Sequence, residues 1–112
     1  MKSIVNFINE QQTWWSGQDA KLIDEKTLLK FANKALKNTK LYASDLQDEI
    51  SQYEDTDELD DAWENNKLKY CKFEDELSNL LSDDTKYSGK EGDICDRLWA
   101  HAWDLLDDLI EL

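Results

Sequence analysis

From Gln18 to Ser88 the chain contains neither glycine nor proline, and it has no proline anywhere. A β-rich fold of 112 residues needs many tight turns, usually marked by Gly, Pro or Asn-Gly. The punctuation here is mild: Ser16-Gly17, Asn38-Thr39, Asp55-Thr56-Asp57, Ser82-Asp83-Asp84-Thr85 and the stretch from Ser88 to Gly92. This pattern predicts an all-α fold, a compact bundle of about five helices joined by short polar turns. One domain over residues 1–112 is the expectation from length. A chain of this size buries roughly 65% of its unfolded surface, so it does not depend on disulfides.

Periodicity places the helices. A short one is expected near Ser3–Gln12, with Ile4, Val5 and Ile8 on one side and Phe7 adjoining. A second runs from Asp19 or Asp24 to Asn38. Its apolar stripe is Leu28, Phe31, Ala32 and Ala35, and Lys26, Lys30, Lys34 and Lys37 form a ridge at helical spacing. A third opens at Ser44, which with Gln47 three residues on reads as a capping box. Its apolar face is Tyr42, Leu46, Ile50 and Tyr53. The two longest helices are expected at about 57–82 and 93–112. In the first of these, Leu59, Trp63, Asn66, Tyr70, Phe73, Leu77 and Leu80 alternate steps of four and three, a coiled-coil-like seam with one polar position. In the second, Leu98, Ala102, Leu105 and Leu109 lie beside Trp99, Trp103, Leu106 and Ile110, predicting a wide buried face. The 83–93 segment reads as a mobile loop.

Charge is unevenly spread. Residues 1–42 carry seven lysines against four acids, whereas residues 43–112 carry six basic residues against twenty-two acids, so the net −13 comes from the second part. Seven of the eleven residues from Glu54 to Glu64 are carboxylates: Glu54, Asp55, Asp57, Glu58, Asp60, Asp61 and Glu64. A second row, Asp104, Asp107, Asp108 and Glu111, follows at helical spacing near the end. Such a field repels nucleic acid and attracts basic protein surfaces. The lysine ridge, without interleaved aromatics, does not reverse that. The 40% hydrophobic content and five tryptophans exclude a disordered acidic tail.

Signals for catalysis are weak. His101 is the sole histidine and reads as a boundary residue near Asp104 or Arg97, since a general base needs an oriented partner. No Cys-x₂-Cys, Gly-x-Ser-x-Gly or phosphate-cradling loop occurs. An EF-hand register on Gly89 puts Lys86 third and Cys95 twelfth, and both fail as calcium ligands. The expectation is a protein that is not an enzyme, with no cofactor and no metal. Cys71 and Cys95 read as reduced helix cysteines. The first residues lack the apolar core of a signal peptide, and no stretch has the length of a membrane span. A cytoplasmic location is therefore expected, in the host cell if the chain is phage-encoded. Trp14 and Trp15 are expected to pack inward; the sharper alternative makes them a hydrophobic anchor for a partner.

Three functional classes fit. The acids form a surface that imitates DNA for a host DNA-binding or defence enzyme with a basic groove. Alternatively, the chain is an immunity protein or antitoxin against a basic nuclease, or a helical adaptor docking through Trp14-Trp15. Duplex DNA carries one charge per ~1.7 Å of axis, so the net charge equals that of about 22 Å of duplex, or about 44 Å for a two-fold pair. Two segments, Asp55-Thr56-Asp57-Glu58-Leu59-Asp60-Asp61-Ala62 and Leu98-Trp99 with Ala102 and Asp104-Leu105-Leu106, resemble stretches of the Ocr family of phage anti-restriction proteins. The resemblance implies an all-helical acidic homodimer that imitates bent B-DNA and occupies the DNA-binding groove of a type I restriction enzyme; from its charge field and its lack of an apolar span, the chain itself is expected to bind no nucleic acid and no membrane. Carried over position by position, it gives the phosphate-imitating role to Asp55, Asp57, Glu58, Asp60, Asp61 and Asp104.

Overall fold

The computed structural model describes residues 14–112. The helix expected at Ser3–Gln12 lies outside the described residues. All regular structure in the described part is α-helix, 72% of it, with no strand. Among the described residues there are seven helices, more than the about five expected for the chain: α1 (Gln18–Leu22), α2 (Glu25–Thr39), α3 (Ala43–Ser51), α4 (Thr56–Glu64), α5 (Lys69–Asp83), α6 (Glu91–Trp99) and α7 (Ala102–Ile110).

The start of α2 is set by Asp24. Its carboxylate accepts the Thr27 backbone N–H at 3.1 Å and the Thr27 hydroxyl at 2.8 Å, satisfying one of the orphan donors of a helix start. The same bonds, the hydroxyl first, hold the Asp24 carboxyl below its ordinary pKa. At the other end Lys40 adopts a left-handed conformation, φ 61°, and its N–H returns to the carbonyls of Leu36 and Lys37. Leu28, Ala32, Ala35 and Leu36 are buried along one side. That side lies along α5, whose Tyr70, Cys71, Phe73, Leu77 and Leu81 are buried in turn. Helix α3 pairs with α7, and α6 packs on α5. These faces merge into one hydrophobic core, joined by Trp15, Ile23, Leu68 and Tyr87.

Two expected long helices are each broken. The 57–82 seam is interrupted at Asn65 to Leu68. Asn66 takes φ 58°, and the Lys67 N–H bonds back to the Ala62 carbonyl at 2.8 Å. This is a helix C-terminal closure, and Asn tolerates the left-handed region better than most residues. The single polar position in the seam is thus where the helix ends. The 93–112 helix breaks at Ala100-His101, where the His101 N–H reaches Leu98 and its carbonyl accepts from Leu105. After that break Leu105, Leu106 and Leu109 set the inward face of α7, and Trp103 and Ile110 are left exposed.

The Ser44 capping box does not form. Tyr42 precedes the first turn of α3 without a side-chain cap bond, and the Gln47 amide is drawn to the Trp103 carbonyl at 3.3 Å. Tyr42, expected on the apolar face, is 70% exposed. The 84–90 stretch is a series of hydrogen-bonded turns, pinned by buried Tyr87 lying edge-on to Phe31 at 5.8 Å. No helix among the described residues is long and apolar enough to cross a membrane.

Candidate interaction surface

The acid-rich segment becomes α4 for local reasons. Asp55 accepts the Asp57 N–H at 2.8 Å, and Asp57 and Glu58 occupy the first turn, where the helix dipole favours negative charge. Ala62 is buried, with Leu59 and Trp63 half-buried beside it. By helical spacing Asp57, Asp61 and Glu64 then fall on the opposite stripe. All seven carboxylates from Glu54 to Glu64 are exposed. The ion pairs among the described residues are Arg97 and His101 with Asp19, so no cation neutralises this row there.

What fixes α4 to the body is aromatic. Trp63 stacks on Trp99 of α6 with centroids 5.0 Å apart and planes 4° from parallel. The Trp99 indole N–H donates to Asp60 at 2.9 Å, and the Trp63 N–H donates to both Glu74 oxygens at 3.1 and 3.2 Å. Tyr70 leans on Trp99 at 5.0 Å. Asp60 is therefore also a structural acceptor. Sequence reasoning missed this clasp. Its only trace was Trp63 in the seam and Trp99 beside it on a later helix, and neither periodicity indicates which aromatics meet.

Glu74 sits in this half-buried corner. Burial raises its pKa to about 7; the Trp63 bond opposes that, and the charges of Asp75 and Asp96 add to it. Burial likewise pushes the Cys95 thiol up to about 12 and raises Cys71, whose Sγ lies 3.4 Å from the Trp63 carbonyl. The Tyr70 hydroxyl is buried with no hydrogen-bond partner among the described residues, and its pKa is well raised, first by burial.

The second acidic row is less uniform. Asp104, Asp107 and Glu111 are exposed, whereas Asp108 is half-buried and accepts the Trp14 indole N–H at 2.8 Å. Glu25 lies near enough for the charge of Asp108 to add to the raising effect of burial on its own pKa. Asp107 sits 3.5 Å from the Gln47 amide. Structure thus separates a fully exposed row on α4, in which Asp55 and Asp60 also accept hydrogen bonds, from a row on α7 in which Asp108 is half-buried.

Trp15 is 2% exposed and donates to the Ile23 carbonyl at 2.7 Å. It is a core residue, packed inward as expected, and is not exposed as the alternative of an outward anchor would need. Trp14 is half-buried and tilted against His101 at 5.9 Å. His101 Nε2 lies 3.4 Å from Asp19, which Arg97 also holds at 2.8 Å, so Asp19 is the acidic partner that the sequence did not single out. Lys26, Lys30, Lys34 and Lys37 are exposed along α2. Among the described residues no three potential metal ligands converge.

Comparison with family models, curated proteins and solved structures gives no match.

Proposed function

We propose that this chain is an acidic inhibitor that presents α4 as an imitation of a DNA backbone to the basic groove of a DNA-handling enzyme, in the manner of phage anti-restriction proteins. It does no chemistry of its own and binds no nucleic acid. The observation that carries the reading is the uncompensated row: seven exposed carboxylates on one nine-residue helix and its N-terminal flank. At ~1.5 Å rise per residue, α4 is about 13 Å long. Duplex of that length carries about eight charges. The helix itself carries five of the seven acids, so its charge density approaches that of duplex, and the Trp63–Trp99 clasp supplies the rigidity. Charges already held in place need little ordering on binding. An adaptor role through both Trp14 and Trp15 has less support, because Trp15 is already spent on the core.

The test is displacement of fluorescent duplex from a panel of type I restriction enzymes and other DNA-binding nucleases. Wild-type protein should release duplex from at least one, with an association rate that falls steeply as salt rises. The variant Asp57→Lys, Asp61→Lys, Glu64→Lys spares Asp60, the acceptor for Trp99. It should associate at least about tenfold more slowly with an unchanged helical spectrum. Equal rates for the variant and the wild type would remove α4 from the recognition surface.

A further inference from the structure

Among the described residues α4 runs along no other helix. Ala62 is its one buried residue, and turns flank it at 52–55 and 65–68. Its hold on the body is concentrated in one corner. Trp63 directs its indole N–H between the two oxygens of Glu74 on α5, at 3.1 and 3.2 Å, and stacks flat on Trp99 of α6. The Trp99 N–H returns to Asp60 of α4. Glu74 is thus the carboxylate through which the body holds α4. The charges acting on it are both negative, Asp75 on its own helix and Asp96 on α6. Asp60 closes the corner from α4, and Glu49 of α3 bonds the Lys69 and Tyr70 N–H groups at the start of α5. The other titratable groups that feel Glu74 are Tyr70, Cys71 and Cys95. The Tyr70 hydroxyl gives it no hydrogen bond, and the ion pairs among the described residues do not include it.

We propose that Glu74 is a pH-sensitive latch for α4: the neutral carboxyl keeps the helix docked, and its ionisation loosens the helix about the two flanking turns. A neutral carboxyl stays in the half-buried corner at little cost and still accepts the Trp63 N–H. An ionised one gives up water beside two like charges, and moving α4 away lets water return to it. The Trp63 bond favours the ionised form, but burial outweighs it, and the docked pKa stands at about 7 against an ordinary 4.5. A carboxyl with a higher pKa docked than released favours docking fully below about pH 4.5. That contribution is lost as pH rises through about 7. The consequence for inhibition rests on the α4 reading: a loosened row must be ordered again on binding, so it engages its partner less well at alkaline pH. The latch itself does not rest on that reading.

Native-state hydrogen exchange on the full chain, with no partner present, tests it. Amides of α4 should exchange by local opening. They should be less protected than those of α2 and α5, and indifferent to urea below the unfolding transition. After correction for intrinsic rates, α4 protection should fall about twentyfold from pH 4 to pH 8. That figure follows from the rise of the Glu74 pKa to about 7, reduced for the solvent that still reaches the group. Glu74→Gln, neutral at both pH values, should remove most of the fall. Asp96→Asn, at an exposed position, should shrink it by taking away one of the two like charges. Amides of α4 that open only with the whole molecule, or an equal fall in Glu74→Gln, overturn the proposal. Exchange involves no nuclease, so the latch can fail while α4 still binds, and α4 can prove inert while the latch holds.

Discussion

Replacing Glu74 with glutamine isolates the energetic cost of burying one carboxylate beside the tryptophan clasp. Its pKa rises from 4.5 to about 7 in the fold, chiefly through burial. A carboxyl whose pKa is higher folded than unfolded binds its proton more tightly in the native state. Its contribution is fully present below about pH 4.5 and is lost as pH rises through about 7. A shift of about 2.5 units corresponds to at most about 3.4 kcal/mol. Glu74 keeps some contact with solvent, so screening reduces this to about 2 kcal/mol. Glutamine has nearly the same shape, and its carbonyl can still accept the Trp63 N–H. Glu74→Gln should therefore raise stability by about 2 kcal/mol at pH 8 and leave it nearly unchanged at pH 4. Urea unfolding followed by far-UV circular dichroism gives both values. The difference between the two proteins is what matters, because the remaining carboxylates titrate alike in both. A variant–wild-type difference that is the same at pH 4 and pH 8 would refute burial as the source of the shift.

Three further outcomes are expected. Asn66→Ala should cost about 1 kcal/mol in urea unfolding, because alanine at φ 58° meets the left-handed penalty that asparagine offsets better. Asp24→Ala should cost about 1 kcal/mol through loss of the α2 cap, and Asp24→Asn, which retains an acceptor, should recover most of it. Native Cys95, buried and held mainly as thiol with a pKa of about 12, should resist iodoacetamide at pH 8 and react at once in urea. Fast native alkylation, followed by mass spectrometry, would show that the α6 corner opens readily.

The sequence by itself determined that this chain is helical. Seventy-one consecutive residues without glycine or proline leave little chemistry for β-turns, and the Leu28–Ala32–Ala35 and Phe73–Leu77 spacings marked faces that are buried. It also fixed the exposed acids of α4, since carboxylates at that density stay in water and the dipole places them at a helix start. Where the helices stop depended on the rest of the molecule. Asn66 satisfied the seam's periodicity yet closes the helix, its left-handed φ of 58° turning the chain between α4 and α5. Nothing local marks Ala100-His101 as a break. There the chain bends so that Leu98 and Leu105 both enter one core, and Trp103 and Ile110 are left outside. Periodicity records which residues share a face. Which face meets which, which carboxylate receives an indole N–H and which apolar residues remain uncovered follow from the crossing of α2, α5, α6 and α7, a property of the packed whole.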